Sequence, residues 1–201
     1  MRRRKSGPEK RGPGGRGSRR PRGFTLIEIV MVLVITGLML SLALPRVNLA
    51  GYRADAGMQG VRSLLMLAQR TSLERQYDVV VMFDTTKQRI TILEDANDNA
   101  TIDPGEHIRR QALQETMRFV VPVVGIDGAV NHSLTGPSLH QVNSLPSITF
   151  HRDGSASNNL DIYLATGTGS IASYRAIRLT ASTARTDWYT YNGTSWVRGG
   201  M

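Results

Sequence analysis

Hydrophobic positions fall along this chain in three regimes, each with its own period. Residues 1–22 (MRRRKSGPEKRGPGGRGSRRPR) hold almost none, and such a Gly-, Pro- and Arg-rich stretch has nothing to build a core with. Phe24 to Leu44 (FTLIEIVMVLVITGLMLSLAL) is then apolar on every face for 21 residues, with Glu28 as its one charge. As a helix it would span about 31 Å, enough for the hydrocarbon core of a bilayer. It is too long for the apolar region of an ordinary secretory signal. Pro45 is expected to end or kink it. Beyond Pro45, Val47, Ala50, Ala54, Met58, Val61, Leu65 and Ala68 recur every three or four residues, with Leu64 and Leu67 on the shoulders. That predicts an amphipathic helix to about Gln76, softened by Gly51, Gly57 and Gly60.

After Gln76 the period shortens to that of strands. Residues 77–83 and 89–93 read as a hairpin across DTTKQ. Residues 107–113 and 117–124 are weaker strands, the second demoted to an edge by Pro122. Residues 125–146 read as a long loop. Residues 147–151, 160–165 and 174–180 are further strands. Asn192-Gly193, between WYTY and TSWV, signals a final hairpin. The pattern predicts an α+β chain in three parts: a basic segment 1–23, a long helical segment 24–76, and a β-rich antiparallel head 77–201.

Charge sharpens this division. The chain carries +9 overall. Residues 1–23 hold 10 Lys/Arg against Glu9, and residues 24–201 hold 15 Lys/Arg against 15 Asp/Glu. The whole basic excess precedes the apolar segment, which places the N-terminus in the cytoplasm and the head outside it. Without residues 1–23 the chain is neutral, so its high pI does not imply a polyanionic partner. There is no cysteine, which excludes disulfides, thiolate catalysis and Cys-based metal sites.

Glu28 lies four residues inside the apolar segment, where an acid costs free energy unless it finds a partner. Cleavage after Gly23 would create an α-amine on Phe24, and Glu28 of one subunit would pair with the Phe24 amine of a neighbour as helices pack. The alternative is a glutamate that reaches back to the interface and does nothing further. The run Gly23-Phe24-Thr25-Leu26-Ile27-Glu28, with basic residues before it and an apolar stretch up to Pro45 after it, resembles the processing site of type IV pilins and type II secretion pseudopilins. The resemblance implies cleavage after Gly23 and N-methylation of Phe24 by a prepilin peptidase. It also implies assembly guided by Glu28 and Pro45, a pilin-like fold, and residence in the bacterial inner membrane with a periplasmic head. The expected partners are that peptidase, other pilins or pseudopilins, and an inner-membrane assembly platform. The order of the head, with ITFHRDGSA and the late strand RAIRLTASTAR, resembles the GspH/FimT group of minor pseudopilins and minor pilins. Thr183-Ala184-Arg185 stands where that group often has Gly-Arg. The implied function is that of a structural subunit of a secretion pseudopilus. The alternative is a minor type IV pilin acting in pilus assembly or in DNA binding during natural transformation.

Two further constellations are legible. Asp95, Asn97, Asn99, Thr101, Asp103 and Glu106 fall at positions 1, 3, 5, 7, 9 and 12 of a calcium-loop pattern, although Ala100 replaces the usual Gly and the flanks read as strands. The competing reading is a solvated acidic turn. Arg175, Arg178, Arg185 and Arg198 interleave with Tyr174, Trp188, Tyr189, Tyr191 and Trp196. That pattern suits single-stranded nucleic acid, or equally a hairpin with aromatic side chains packed across its strands. The neutral charge of residues 24–201 favours the hairpin. His107, His132, His140 and His151 have no ligand spacing, and Asp153 and Asp161 form no legible acid/base pair. No nucleophile or phosphate-loop motif occurs, so no enzyme is expected and no cofactor is required.

Overall fold

The computed structural model describes residues 23–43, 49–114, 116–128, 130–137, 139–167 and 173–199. The expected leader up to residue 22 and the break at Pro45 lie outside the described residues. The chain forms two compact units, residues 1–47 and 48–201.

In the first unit a helix, α1, runs over Leu26–Ala43. Its large apolar side chains, from Phe24 to Leu40, are exposed on every face. The hydroxyl of Thr36 bonds back to the carbonyl of Val32 at 2.7 Å, so this polar group is satisfied within the helix. Among the described residues no helix is by itself long and apolar enough to cross a membrane. α1 has 18 residues where the sequence predicts 21, and the far end of that segment, Leu44, is not described.

The second unit opens with α2, Leu49–Arg75. From Ala54 onward the predicted stripe is its buried face: Ala54, Met58, Val61, Leu65 and Ala68 are all buried and Ser72 continues the line, while Ala50 is half-buried and Val47 lies outside the described residues. Gln76, at φ 60°, closes the helix in the left-handed region. The strands follow as β1 Asp78–Asp84, β2 Arg89–Asp95, β3 His107–Ala112, β4 Met117–Phe119, β5 His140–Val142, β6 Leu145–Phe150, β7 Leu160–Thr166, β8 Arg175–Thr180, β9 Arg185–Tyr191 and β10 Trp196–Arg198. They make two antiparallel five-stranded sheets, ordered β3-β2-β1-β6-β5 and β10-β9-β8-β7-β4. α2 lies against both sheets. Its stripe joins Val79, Val81, Phe83, Phe150, Ile162, Leu164 and Ile177 in one core. A compact boundary at 47/48 rather than 76/77 follows from that shared core.

The first sheet is buried on its other face as well. Val80, Met82, Leu93 and Val142 form a smaller cluster there, covered by Ala100 and Ile102 from the loop after β2. This explains why β1 is apolar at consecutive positions rather than alternating. Two strand expectations change. The segment 117–124 is strand only at Met117–Phe119, because Pro122 has no N–H to extend the ladder. Within the expected loop 125–146, His140–Val142 pairs with the start of β6 through a turn in which Asn143 and Ser144 both have positive φ.

Candidate functional site

Thr25 and Glu28 organise the start of α1. The backbone N–H of Glu28 donates to Oγ1 of Thr25 at 3.3 Å, and the N–H of Thr25 reaches Oε2 of Glu28 at 3.5 Å. This reciprocal pair is a capping box, and it satisfies donors that a helix N-terminus leaves open. The negative charge also sits at the positive end of the helix dipole. Thr25 is the residue that the sequence reading missed, although T-x-x-E before an apolar run is its usual signal. Gly23 and Phe24 precede the helix with no regular structure, and Phe24 is 80% exposed. The junction is therefore accessible and directly followed by a capped helix whose first carboxylate points back toward it. Pro45 lies outside the described residues.

The acidic loop turns most of its oxygens to its own donors, although Oε1 of Glu106 is buried without a partner and Asp98 pairs with Arg152 outside the loop. Asp95, buried, accepts the N–H groups of Asn99 at 3.1 Å and Ala100 at 2.7 Å. Oδ2 of Asp103 accepts the side-chain amides of Asn97 at 2.8 Å and Asn99 at 2.6 Å. These two bonds hold the Asp103 carboxyl below the usual carboxylate range. Asn99 Oδ1 accepts from the N–H of Thr101 at 2.7 Å, and Glu106 Oε2 from that of Asp103 at 2.9 Å. Ala100 has φ 55°, the left-handed conformation for which the loop pattern normally uses Gly. Among the described residues no three His, Cys, Asp or Glu side chains converge to hold a metal.

The four late arginines do not form one surface. Arg175 is 6% exposed; its Nε donates to Asp55 at 2.6 Å and its Nη2 to the carbonyl of Gly51 at 3.3 Å, both on α2. Arg178 clasps the buried Asp161 through two bonds of 2.8 Å and reaches Asp127 at 2.6 Å. Arg175 and Arg178, two of the four arginines considered for nucleic acid, are thus committed to ion pairs inside the fold. Arg185 and Arg198 are exposed and share Asp187, at 3.1 and 2.6 Å. Burial pushes the Asp187 carboxyl up, but the Arg198 hydrogen bond and the two guanidinium charges outweigh it and hold it below its ordinary range. The aromatic side chains pack across strands: Trp196 lies 5.1 Å from Tyr191 and 5.3 Å from Tyr163, centroid to centroid.

Comparison with known proteins follows this division of the chain. A family model described as the prokaryotic N-terminal methylation motif matches residues 18–44. A second, described as type II transport protein GspH, matches residues 58–184, well over half of the chain. No curated protein matches by sequence. Among solved structures, the chain is similar to the minor pseudopilin EpsH from the type 2 secretion system of Vibrio cholerae. The identity is 11% and the TM-score 0.47, over 70% of this chain and 98% of that one. With a methylation-type N-terminus leading into a matching head, the chain belongs to the GspH family of type II transport proteins, the minor pseudopilins of protein secretion.

Proposed function

We propose that this chain is made as a precursor, cut after Gly23 by a prepilin peptidase, N-methylated on Phe24, and assembled as a structural subunit of a pseudopilus rooted in the inner membrane. The observation that carries the reading is the junction itself: an accessible Gly23-Phe24 bond opening a capped helix that is apolar and exposed on every face. So much exposed apolar surface requires lipid or other helices around it. Before assembly α1 is held in the bilayer, its N-terminus cytoplasmic and the head periplasmic. During assembly it moves among the helices of neighbouring subunits.

Glu28 then has a second task. In the isolated chain its carboxylate caps its own helix. In the filament it takes the Phe24 amine of the next subunit as a partner, in a medium where an unpaired charge is costly. Each subunit supplies one amine and one carboxylate, so the contact is head-to-tail and propagates. The pair sets register, and the apolar surface supplies the attraction.

The test is the intact mass and N-terminal residue of the chain purified from cells with and without a prepilin peptidase. The expected product starts at N-methyl-Phe24 in the first case and retains residues 1–23 in the second. Retention of residues 1–23 in both strains would leave a single-pass membrane protein with a basic tail and overturn the proposal.

A further inference from the structure

Arg62 stands out among the arginines of the head. It sits in mid-α2, half-buried, and its described polar contact is a 3.3 Å bond from Nη1 to Oε1 of Gln59 on the same helix. Its Nε is buried without an acceptor. The other arginines that lack an acid partner among the described residues (Arg53, Arg75, Arg109, Arg110 and Arg118) are exposed to solvent, where water satisfies them. A half-buried guanidinium with an unmet donor is costly, and the cost is relieved when an acceptor arrives.

Arg62 faces a cleft of about 680 Å³ shared with Arg185, Asp187, Trp188, Arg198 and Gly199. The cleft lies toward the end of β9 beyond its β10 register with Tyr189–Tyr191, where the N–H of Gly199 still bonds to the carbonyl of Trp188 at 2.9 Å. Gly199 lies directly against the Trp188 ring: a β-carbon there would fall 2.1 Å from it, so the chain passes over the indole only because this residue has no side chain. Three guanidinium groups face one carboxylate, a local surplus of two positive charges on a segment (24–201) that is neutral overall. Asp187 is only 22% exposed and already engages Arg185 and Arg198. The cleft therefore holds two arginines on an internal acid and a third whose described polar partner is the neutral Gln59.

We propose that this cleft is a docking site for an acidic segment of a partner protein: a carboxylate side chain seats on the Arg62 fork and draws Arg185 and Arg198 from Asp187, while an adjacent apolar residue covers Trp188. The planar guanidinium matches a planar carboxylate through two parallel bonds. A single bounded cluster with an acid at its centre suits one or two carboxylates. A phosphate backbone needs a track of unopposed cations, and Arg175 and Arg178, which would have extended one, are spent on Asp55 and Asp161. The inference does not depend on processing at Gly23, so either can fail while the other stands.

The test uses the full chain in detergent micelles carrying Trp196→Phe, so that Trp188 is the single tryptophan. The probe is a blocked peptide, acetyl-Gly-Glu-Leu-Glu-Gly-amide, followed by Trp188 fluorescence. Arg62→Ala and Asp187→Asn separate binding in the cleft from binding to the basic residues 1–23. The expected result is a saturable change that weakens at least about tenfold when the glutamates become glutamines or when Arg62→Ala is introduced. Arg62→Lys keeps the charge but loses the fork and falls in between. Asp187→Asn frees two arginines and tightens binding about threefold or more. Arg62→Ala removes no described tertiary ion pair, so the fold is expected to survive, and Asp187→Asn tests the same cleft with Arg62 in place. No Trp188 response, a response indifferent to Arg62→Ala and Asp187→Asn, or tighter binding of an oligothymidylate than of the peptide would overturn the proposal.

Discussion

Arg178 shows how a side chain that looks available in the sequence is consumed by the fold. Its two bonds to Asp161 tie β8 to β7, and its contact with Asp127 fastens the long loop between β4 and β5 onto the same sheet. Asp161 is almost fully buried, so Arg178→Ala strands its charge. The expected loss is about 3 kcal/mol or more in urea unfolding, with much of it recovered when Asp161→Asn is added. Beside this pair Tyr163, 1% exposed, donates its hydroxyl to Asp161 at 3.4 Å and accepts the N–H of Ile126 at 3.1 Å. Burial, chiefly, pushes its phenol up to about 12. A phenol whose pKa is raised on folding stabilises the fold below the unfolded value near 10 and loses that contribution as pH climbs through the folded value. Stability is thus expected to fall between about pH 10 and pH 12, with Tyr163→Phe reducing the slope. The arginines were legible as a series in the sequence. Their partners were not, because Asp55 lies 120 residues from Arg175 and no local pattern encodes that distance.

At the scale of elements, α2 separates two glycines that the sequence treats alike. A β-carbon on Gly60 meets nothing within 4 Å, whereas one on Gly57 falls 2.4 Å from the γ-carbon of the buried Met117 on β4. Gly60→Ala is expected to stabilise the head by about 0.5–1 kcal/mol, as an ordinary helix substitution does. Gly57→Ala gains the same propensity and pays more in overpacking, for a net loss on the order of 1 kcal/mol. Thermal unfolding of the two variants side by side checks the pair, and equal signs would mean that α2 does not rest on β4 as described. The final hairpin carries the same lesson. Asn192-Gly193 does turn the chain, but through a four-residue connection in which Asn192 Oδ1 accepts the N–H groups of Thr194 at 2.9 Å and Ser195 at 2.8 Å. The loop after β2 is read as acidic from its sequence, yet it also lays Ala100 and Ile102 over the outer face of the first sheet.

For the whole molecule, the two compact units divide the work. The first carries an apolar helix whose large side chains are exposed among the described residues. The second packs one face of α2 against both sheets and carries the charged cleft around Asp187 on its surface. In the proposed assembly, Glu28 is the link between monomer and filament. Glu28→Gln keeps a hydrogen-bonding side chain for the cap but removes the charge, so leader removal should proceed while incorporation into pseudopili drops sharply. Leader mass and sheared-filament immunoblots measure the two separately. Full incorporation of the Gln variant would mean that capping alone, and not charge pairing, is what the assembly needs.

The sequence by itself determined the elements whose signal is local and repeated. These are the uniformly apolar helix with one acid at its first turn, the buried stripe of α2 at a period of three to four residues, the consecutive apolar positions of β1 and the β-branched run of β2. It also carries the junction on which the processing proposal rests, because Gly23, Phe24 and Glu28 stand within six residues, whereas the cap between Thr25 and Glu28 emerged from the structure. The tertiary structure alone decided which strands share a sheet, why β1 is covered on both faces, and which arginines are spent. It also gathered Arg62 with Arg185 and Arg198, more than a hundred positions apart, around one aspartate. The physical reason is the same throughout: periodicity records the face that an element must bury, whereas the partner that buries it, or neutralises its charge, is chosen by packing between segments that carry no information about each other's position along the chain.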